Sequence, residues 1–303
     1  MKKRQLGNSD LHVSELALGC MSLGTDEKQA FNVIEAALEE GVNYFDTADL
    51  YDFGENEKIV GQALKHVREQ VVIATKAGNR WNEAKNSWSW DPSKKYIKEA
   101  VKGCLKRLQT DYIDFFQLHG GTISDPIEET IESFEELKAE GVIRYYGISS
   151  IRPNVIREYV EKSTIAAVMM QYSMLDRRPE ELALPLLHQA GISVVTRGSI
   201  AKGLLSDQYS SKLSKKGFLD YSEKELQSLL PQLKAKLASS RPLEEVALQY
   251  NLANPAVASV VTGASSAAQM RANAKAVNSR PLSSEEIQVI QQLTKANQYS
   301  EHR

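Results

Sequence analysis

Short apolar runs alternate with longer amphipathic stretches along this chain, and the alternation limits its fold more than any other feature. The runs are Leu16 to Leu18, Val42 to Phe45, Val71 to Thr75, Ile113 to Leu118, Ile143 to Ile148, Ala166 to Met170, Ile192 to Thr196 and Ala258 to Val261. Between them, Glu27 to Glu40 places Ala30, Phe31, Ile34, Ala37 and Leu38 at helical spacing. Asp91-Pro92-Ser93 starts another helix, and Asp125-Pro126 the next, with glutamates following. Strands alternating with helices build βαβ units around a parallel sheet. Eight such units in 303 residues, with no linker, predict an α/β protein: a single (β/α)8 TIM barrel over residues 1–303. A doubly wound sheet is the structural alternative. Two stretches break the rhythm: loop 78–91, with Trp81, Trp88 and Trp90, and loop 206–222, rich in Ser and Lys. Both are expected to cover the C-terminal face of the strands, where such barrels carry their sites.

Composition narrows the partners. A net charge of -2 offers no basic field for nucleic acid or an anionic membrane surface. Hydrophobic content of 42% and charged content of 25% fit a globular domain. No run approaches the ~18 apolar residues of a membrane span, and the basic start MKKRQLGNSD is not followed by an apolar signal region. Cys20 and Cys104 form neither a disulfide framework nor a metal-type spacing, so a reducing cytoplasm is the expected home and no metal is expected. No heptad or long apolar stripe stands out, and a monomer is expected.

Four polar residues fall where the apolar runs end: Asp46 and Tyr51 in FDTADLYDFGENE, Lys76 in VVIATK, and His119 in YIDFFQLH. Consecutive strands of a parallel barrel are neighbours ~4.8 Å apart, so Asp46, Lys76 and His119 can meet. Tyr51 lies five residues beyond Asp46, up to ~17 Å fully extended, and reaches Lys76 only if its loop folds back. The set suits proton donation to an oxygen. A free phenol titrates near ~10 and donates slowly at neutral pH; a neighbouring ammonium favours the phenolate. Lys76 fits that task, Asp46 would keep Lys76 charged, and the His119 imidazole can bond a substrate oxygen or relay a proton. Each residue alone has a plainer reading, as turn residue, solvated charge, packing ring or interior imidazole. Their joint placement on three successive strand ends favours catalysis. A metal-dependent hydrolase using Asp46 and His119 lacks a second strand-end histidine.

Near the end of the chain, Thr262-Gly263-Ala264-Ser265-Ser266 precedes a helix read over Ala267 to Ala276. Small residues before a helix N-terminus can hold a phosphate, and an ordinary loop with a helix cap fits equally well.

These residues resemble the aldo-keto reductase family over nearly the whole chain. The likeness runs from LALGCMSLG through GVNYFDTADLYDFGENEKIVGQAL, VVIATKAG, LQTDYIDFFQLH, LKAEGVIRYYGISS, QYSMLDRR and AKGLL to VVTGASSAAQMRAN. It implies carbonyl reduction by a reduced nicotinamide, with Tyr51 as proton donor, Lys76 its activator, Asp46 the partner of Lys76, and His119 orienting the carbonyl. It further implies cofactor contacts at Gly19, Met21, Asp46, Ser149, Gln171, Arg197, Gly198, Lys202, Gly203, Gly263, Ser265, Gln269 and Asn273, with Arg271 as an added cation. Three positions depart from the family pattern. Ser150 stands where asparagine is usual, and Met169 where glutamine is usual, leaving Gln171 to take part of that role or the contact absent. Arg197 replaces an aromatic ring that stacks on the nicotinamide; a guanidinium plane can stack as well. NADPH is expected over NADH. Trp81, Trp88 and Trp90, with Met21, either line an apolar substrate pocket or anchor their loop on the barrel. No cation for a substrate carboxylate is evident, so neutral aldehydes and ketones are expected. The alternative function is a nicotinamide-binding regulatory barrel, like a channel subunit, with little turnover.

Overall fold

The computed structural model describes residues 1–303. Every one of the eight apolar runs is a barrel strand: β3 (Leu16–Gly19), β4 (Tyr44–Asp46), β5 (Val72–Ala77), β8 (Ile113–Leu118), β9 (Ile143–Ser149), β10 (Ala167–Gln171), β11 (Ser193–Arg197) and β12 (Val257–Thr262). They pair in parallel in that order, and β12 closes on β3. The runs were readable because strands of such a barrel are buried on both faces and so lack polar alternation. The doubly wound alternative is excluded by closure. The boundaries shift slightly: Val42 and Asn43 lie outside β4, their backbone N–H groups donating to Ala37 O at 2.9 Å and Ser14 Oγ at 3.0 Å.

Four further strands lie outside the barrel. β1 (Lys3–Gln5) and β2 (His12–Ser14) form an antiparallel hairpin, as do β6 (Asn79–Trp81) and β7 (Trp88–Trp90). The first hairpin contributes Leu6, Leu11 and Val13 to an interior cluster with Ala17, Tyr44, Phe115, Met169 and Val195. It plugs the end of the barrel opposite the ends of the strands. A larger apolar layer lies between the strands and the helices.

The helices are α1 (Glu27–Glu39), α2 (Glu55–Leu64), α3 (Lys94–Leu108), α4 (Ile127–Ala139), α5 (Pro153–Lys162), α6 (Ala183–Gln189), α7 (Glu223–Leu237), α8 (Leu243–Leu252), α9 (Ala267–Val277) and α10 (Ser284–Leu293). Their starts follow capping chemistry. Asp26, Ser93, Ser222, Ser266 and Ser283 each accept a backbone N–H of the first turn. Pro126 sits just before α4 rather than inside it. No helix is long and apolar enough to cross a membrane.

Candidate active site

The ends of β4, β5 and β8 lie side by side, with Asp46 opposite Ala74 and Lys76 opposite Gln117. Lys76 is buried, and its Nζ donates to Asp46 Oδ2 and Thr47 O at 2.7 Å each and to Tyr51 Oη at 3.4 Å. The loop therefore does fold back. Beyond β4 the chain stays pinned to β5, with Thr47 N donating to Ala74 O at 2.8 Å and Asp49 N to Lys76 O at 3.0 Å. It then turns sharply through Asp52 and Phe53, whose φ values of 48° and 49° lie in the left-handed region. His119 follows β8, and its ring meets Tyr51 edge-on with centroids 5.9 Å apart.

Electrostatics give these groups distinct states. Burial pulls the Lys76 ammonium down, but Asp46 and then Tyr51 more than reverse this and hold it above its usual range. Burial pushes the Asp46 carboxyl up, opposed by Lys76. Burial, then the Lys76 and Arg197 charges, push His119 down to about 3, so the imidazole is neutral at physiological pH. Its Nδ1 and the Oε1 of Gln117 are buried without partners. Gln117 donates to Asp46 Oδ1 at 3.4 Å. Sequence reasoning passed over this glutamine, although a polar residue inside the run IDFFQL was a signal.

A cavity of about 780 Å³ opens over Tyr51 and His119. Met21, Leu50, Ser149, Ser150, Ile151 and Arg197 line it, as do Leu219, Asp220 and the C-terminal residues Gln298 to His302. That tail carries no periodic pattern to betray its position in the sequence. Of the residues expected around a substrate, only Met21 lines the cavity. The tryptophans do not, because β6 and β7 pair as a hairpin that holds their rings aside. Trp90 Nε1 lies 3.1 Å from both carboxylate oxygens of Asp125, Trp81 packs edge-on against Phe53, and Trp88 is exposed. Arg152 and Arg178 also line the cavity, cations that the sequence did not mark. Arg178 is bound bidentately to buried Asp176 at 2.7 and 2.8 Å, and Arg152 donates to Gly121 O.

The remaining expected cofactor residues divide. Ser149, Gln171 and Arg197 stand together at the ends of β9, β10 and β11. Arg197 donates to Gln171 Oε1 at 3.2 Å, while Gln171 Nε2 donates to Asp176 Oδ2 at 2.7 Å. Met169 belongs to the barrel interior. Gly198 and Gly203 take left-handed φ of 70° and 87°, flanking Ala201 and Lys202 in the same region. At the start of α9, Gln269 Oε1 accepts from Ser265 N and Oγ, and Asn273 Nδ2 donates to Thr262 Oγ1 and Gly263 O. Gly19 and Gly263 flank Ser22, whose Oγ donates to Gly19 O at 3.1 Å and accepts from Ala264 N at 2.8 Å. Arg271 pairs with Glu39 at 2.7 Å. No group of three or more His, Cys, Asp or Glu is placed to hold a metal ion.

The aldo/keto reductase family model matches residues 15–295. The chain belongs to this family. It is 57% identical over 307 residues to an uncharacterized oxidoreductase, YqkF, of Bacillus subtilis (strain 168), covering 100% of both chains. It is 32% identical over 306 residues to the NADH-specific methylglyoxal reductase of Escherichia coli (strain K12), covering 92% of this chain and 94% of that one. Among solved structures it resembles aldo-keto reductase AKR11C1 from Bacillus halodurans in its holo form, with a TM-score of 0.95 and 60% identity over 100% of this chain and 99% of that one. The TM-score to the apo form of the same reductase is 0.86. This aldo-keto reductase is therefore an oxidoreductase that reduces carbonyl compounds with a nicotinamide cofactor.

Proposed function

We propose that this reductase converts neutral aldehydes or ketones to alcohols with NADPH, using Tyr51 as the proton donor. The observation that carries this reading is the Lys76 ammonium, which is buried, paired with Asp46 at 2.7 Å and within 3.4 Å of the Tyr51 hydroxyl. A cation fixed in a low-dielectric site stabilises negative charge as it develops on the phenolic oxygen, without reorganisation during the reaction. Neutral His119 at the cavity floor is suited to hold the carbonyl oxygen, since it adds no charge of its own. A bound reduced nicotinamide supplies the hydride; every proton step belongs to the chain.

The residues fit such a cofactor. Ser149 and Arg197 line the cavity, and a turn with left-handed residues from Gly198 to Gly203 follows Arg197 directly. Met21, Leu50, Ile151 and Leu219 supply apolar lining and the Arg178 guanidinium is already ion-paired with Asp176, which favours a neutral substrate, whereas Arg152, bonded to the Gly121 carbonyl, keeps its charge at the cavity wall. Lys202, which forms no ion pair within the chain, supports NADPH over NADH, whereas Arg271 is already paired with Glu39. The NADH-specific relative is the counterweight, so the preference is to be measured. The intact buried pair favours turnover over a regulatory barrel. We further take the protein to act as a cytoplasmic monomer, in line with two free buried cysteines.

Fluorescence titration with NADPH and with NADH tests the cofactor assignment. Tighter binding of NADPH is expected; tighter NADH reverses the preference, and no response to either removes the functional reading.

A further inference from the structure

Behind the catalytic group, between β5, α2 and α3, lies a second set of buried charges that the proton-donating reaction does not use. Glu57 is fully buried and both its oxygens are taken: Oε1 accepts from Thr75 Oγ1 and Oε2 from Arg107 Nε, each at 2.6 Å. Arg107 is thus the partner of Glu57. Asp49, 1% exposed, has no cation of its own. Its Oδ2 accepts from Tyr96 Oη at 3.2 Å, and its Oδ1 is buried without a partner. Two carboxyls and one guanidinium in a dry space leave a charge that a proton removes most cheaply.

Asp49 also occupies a critical place in the chain. It lies midway between Asp46 and Tyr51, and its backbone N–H is bonded to the carbonyl of Lys76 itself. The turn after it is strained at Asp52 and Phe53, and Gly54 at φ 87° has no room for a side chain, because a Cβ there would lie 2.6 Å from Arg107 Cδ. Strained turns persist only where the surroundings fix them. The bond from Tyr96 to Asp49 is one side-chain anchor of this one, beside those from Thr47 to Asn56 and from Lys76 to Tyr51.

We propose, resting on the reductase reading above, that Asp49 is a positioning residue: its neutral carboxyl, tied to Tyr96, holds the turn that presents the Tyr51 hydroxyl to Lys76. The groups facing Asp49 agree. Glu57 comes from α2; Tyr96, Cys104 and Arg107 come from α3; Arg80 of β6 lies over the Tyr96 ring, 5.4 Å from its centroid. Burial, then the Glu57 charge, raise the Asp49 carboxyl to about 8 against the opposing pull of Arg107 and Tyr96. Above that pH an unpaired carboxylate is relieved by moving toward water, which pulls on the turn.

Turnover of 4-nitrobenzaldehyde with NADPH, followed from neutral to alkaline pH, tests this. Wild-type kcat falls as pH rises through about 8. Asp49→Asn, which keeps the neutral shape, moves the fall to higher pH at unchanged KM. Asp49→Ala lowers kcat by roughly tenfold or more at every pH, within the range that a misplaced general acid loses, while NADPH affinity is unchanged. Superimposed profiles for wild type and Asp49→Asn, or an undiminished kcat for Asp49→Ala, overturn the proposal. If the wild type reduces no aldehyde, the reductase reading fails by itself and thermal midpoints judge Asp49. A proton held when folded but released when unfolded lowers wild-type stability as pH rises toward 8, so the advantage of Asp49→Asn grows over that interval. A constant offset overturns the neutral carboxyl.

Discussion

Around the ends of β4, β5 and β8 the polar side chains are buried and bonded to one another, whereas around β9, β10 and β11 they stand on an open cavity and bond across its rim. Lys76 and Asp46 are 1% and 3% exposed, while Arg197 is exposed and held only by Gln171. In the first arrangement, the links from Lys76 to Asp46 and Tyr51 are formed before any ligand arrives, while His119 Nδ1 and Gln117 Oε1 still lack partners. The second consists of groups with spare donors and a backbone shaped by left-handed turns, which a ligand would complete. Charge that must stabilise a developing oxyanion gains from being fixed beforehand in a dry site; groups that bind and release a cofactor gain from remaining adjustable.

Breaking the buried side has the largest expected effect. Lys76→Met leaves the Asp46 carboxylate buried without its cation, a change that costs about 3–5 kcal/mol in comparable sites, and it removes turnover as well. Denaturant unfolding and kcat measure the two losses. A destabilisation below about 1 kcal/mol, the scale of an exposed ion pair, would show that the pair is not buried as described.

His119 offers a finer probe of the same side. Its folded value of about 3 lies below the unfolded 6.5, so between these limits the unfolded chain binds the extra proton. Stability then falls as pH drops through that window, by at most about 1.4 kcal/mol per pH unit from this group. His119→Gln removes that contribution, and a matched pair of pH-dependent unfolding curves shows it. Parallel curves would place a protonated imidazole in the folded state.

On the open side, Arg197→Ala is expected to weaken NADPH binding by roughly tenfold, about 1.4 kcal/mol, with kcat changed far less. Equal losses in both would erase the division between the two halves. The smallest effect concerns residues 206–222, where Leu219 and Asp220 line the cavity and Lys295 Nζ donates to Asp220 O at 2.5 Å. We expect the segment to be mobile without cofactor and to be protected from limited proteolysis by NADPH; equal cleavage with and without it removes this closure.

The same contrast explains what could be read in the sequence. The strands announced themselves as apolar runs, and Asp46, Lys76 and His119 stood out because charge at the end of such a run is unusual. The return of Tyr51 to Lys76 could be stated only as a possibility, since it depends on backbone bonds from Thr47 and Asp49 and on left-handed residues that are not glycine. Asn273 was expected at the cofactor only through the family resemblance, and its Nδ2 donates to Thr262 Oγ1 and Gly263 O. The tryptophan loop gave no alternation long enough to reveal three-residue strands, and Gln298 to His302 reach the cavity through tertiary packing alone.

The most direct test of the central claim is hydride transfer from NADPH to 4-nitrobenzaldehyde in a single turnover, compared between the wild type and Tyr51→Phe. In the proposed mechanism the hydroxyl near Lys76 supplies the proton, so its removal is predicted to slow transfer by roughly 10²–10⁴-fold while the NADPH dissociation constant stays within about twofold. A Tyr51→Phe protein that transfers hydride at the wild-type rate would contradict the account.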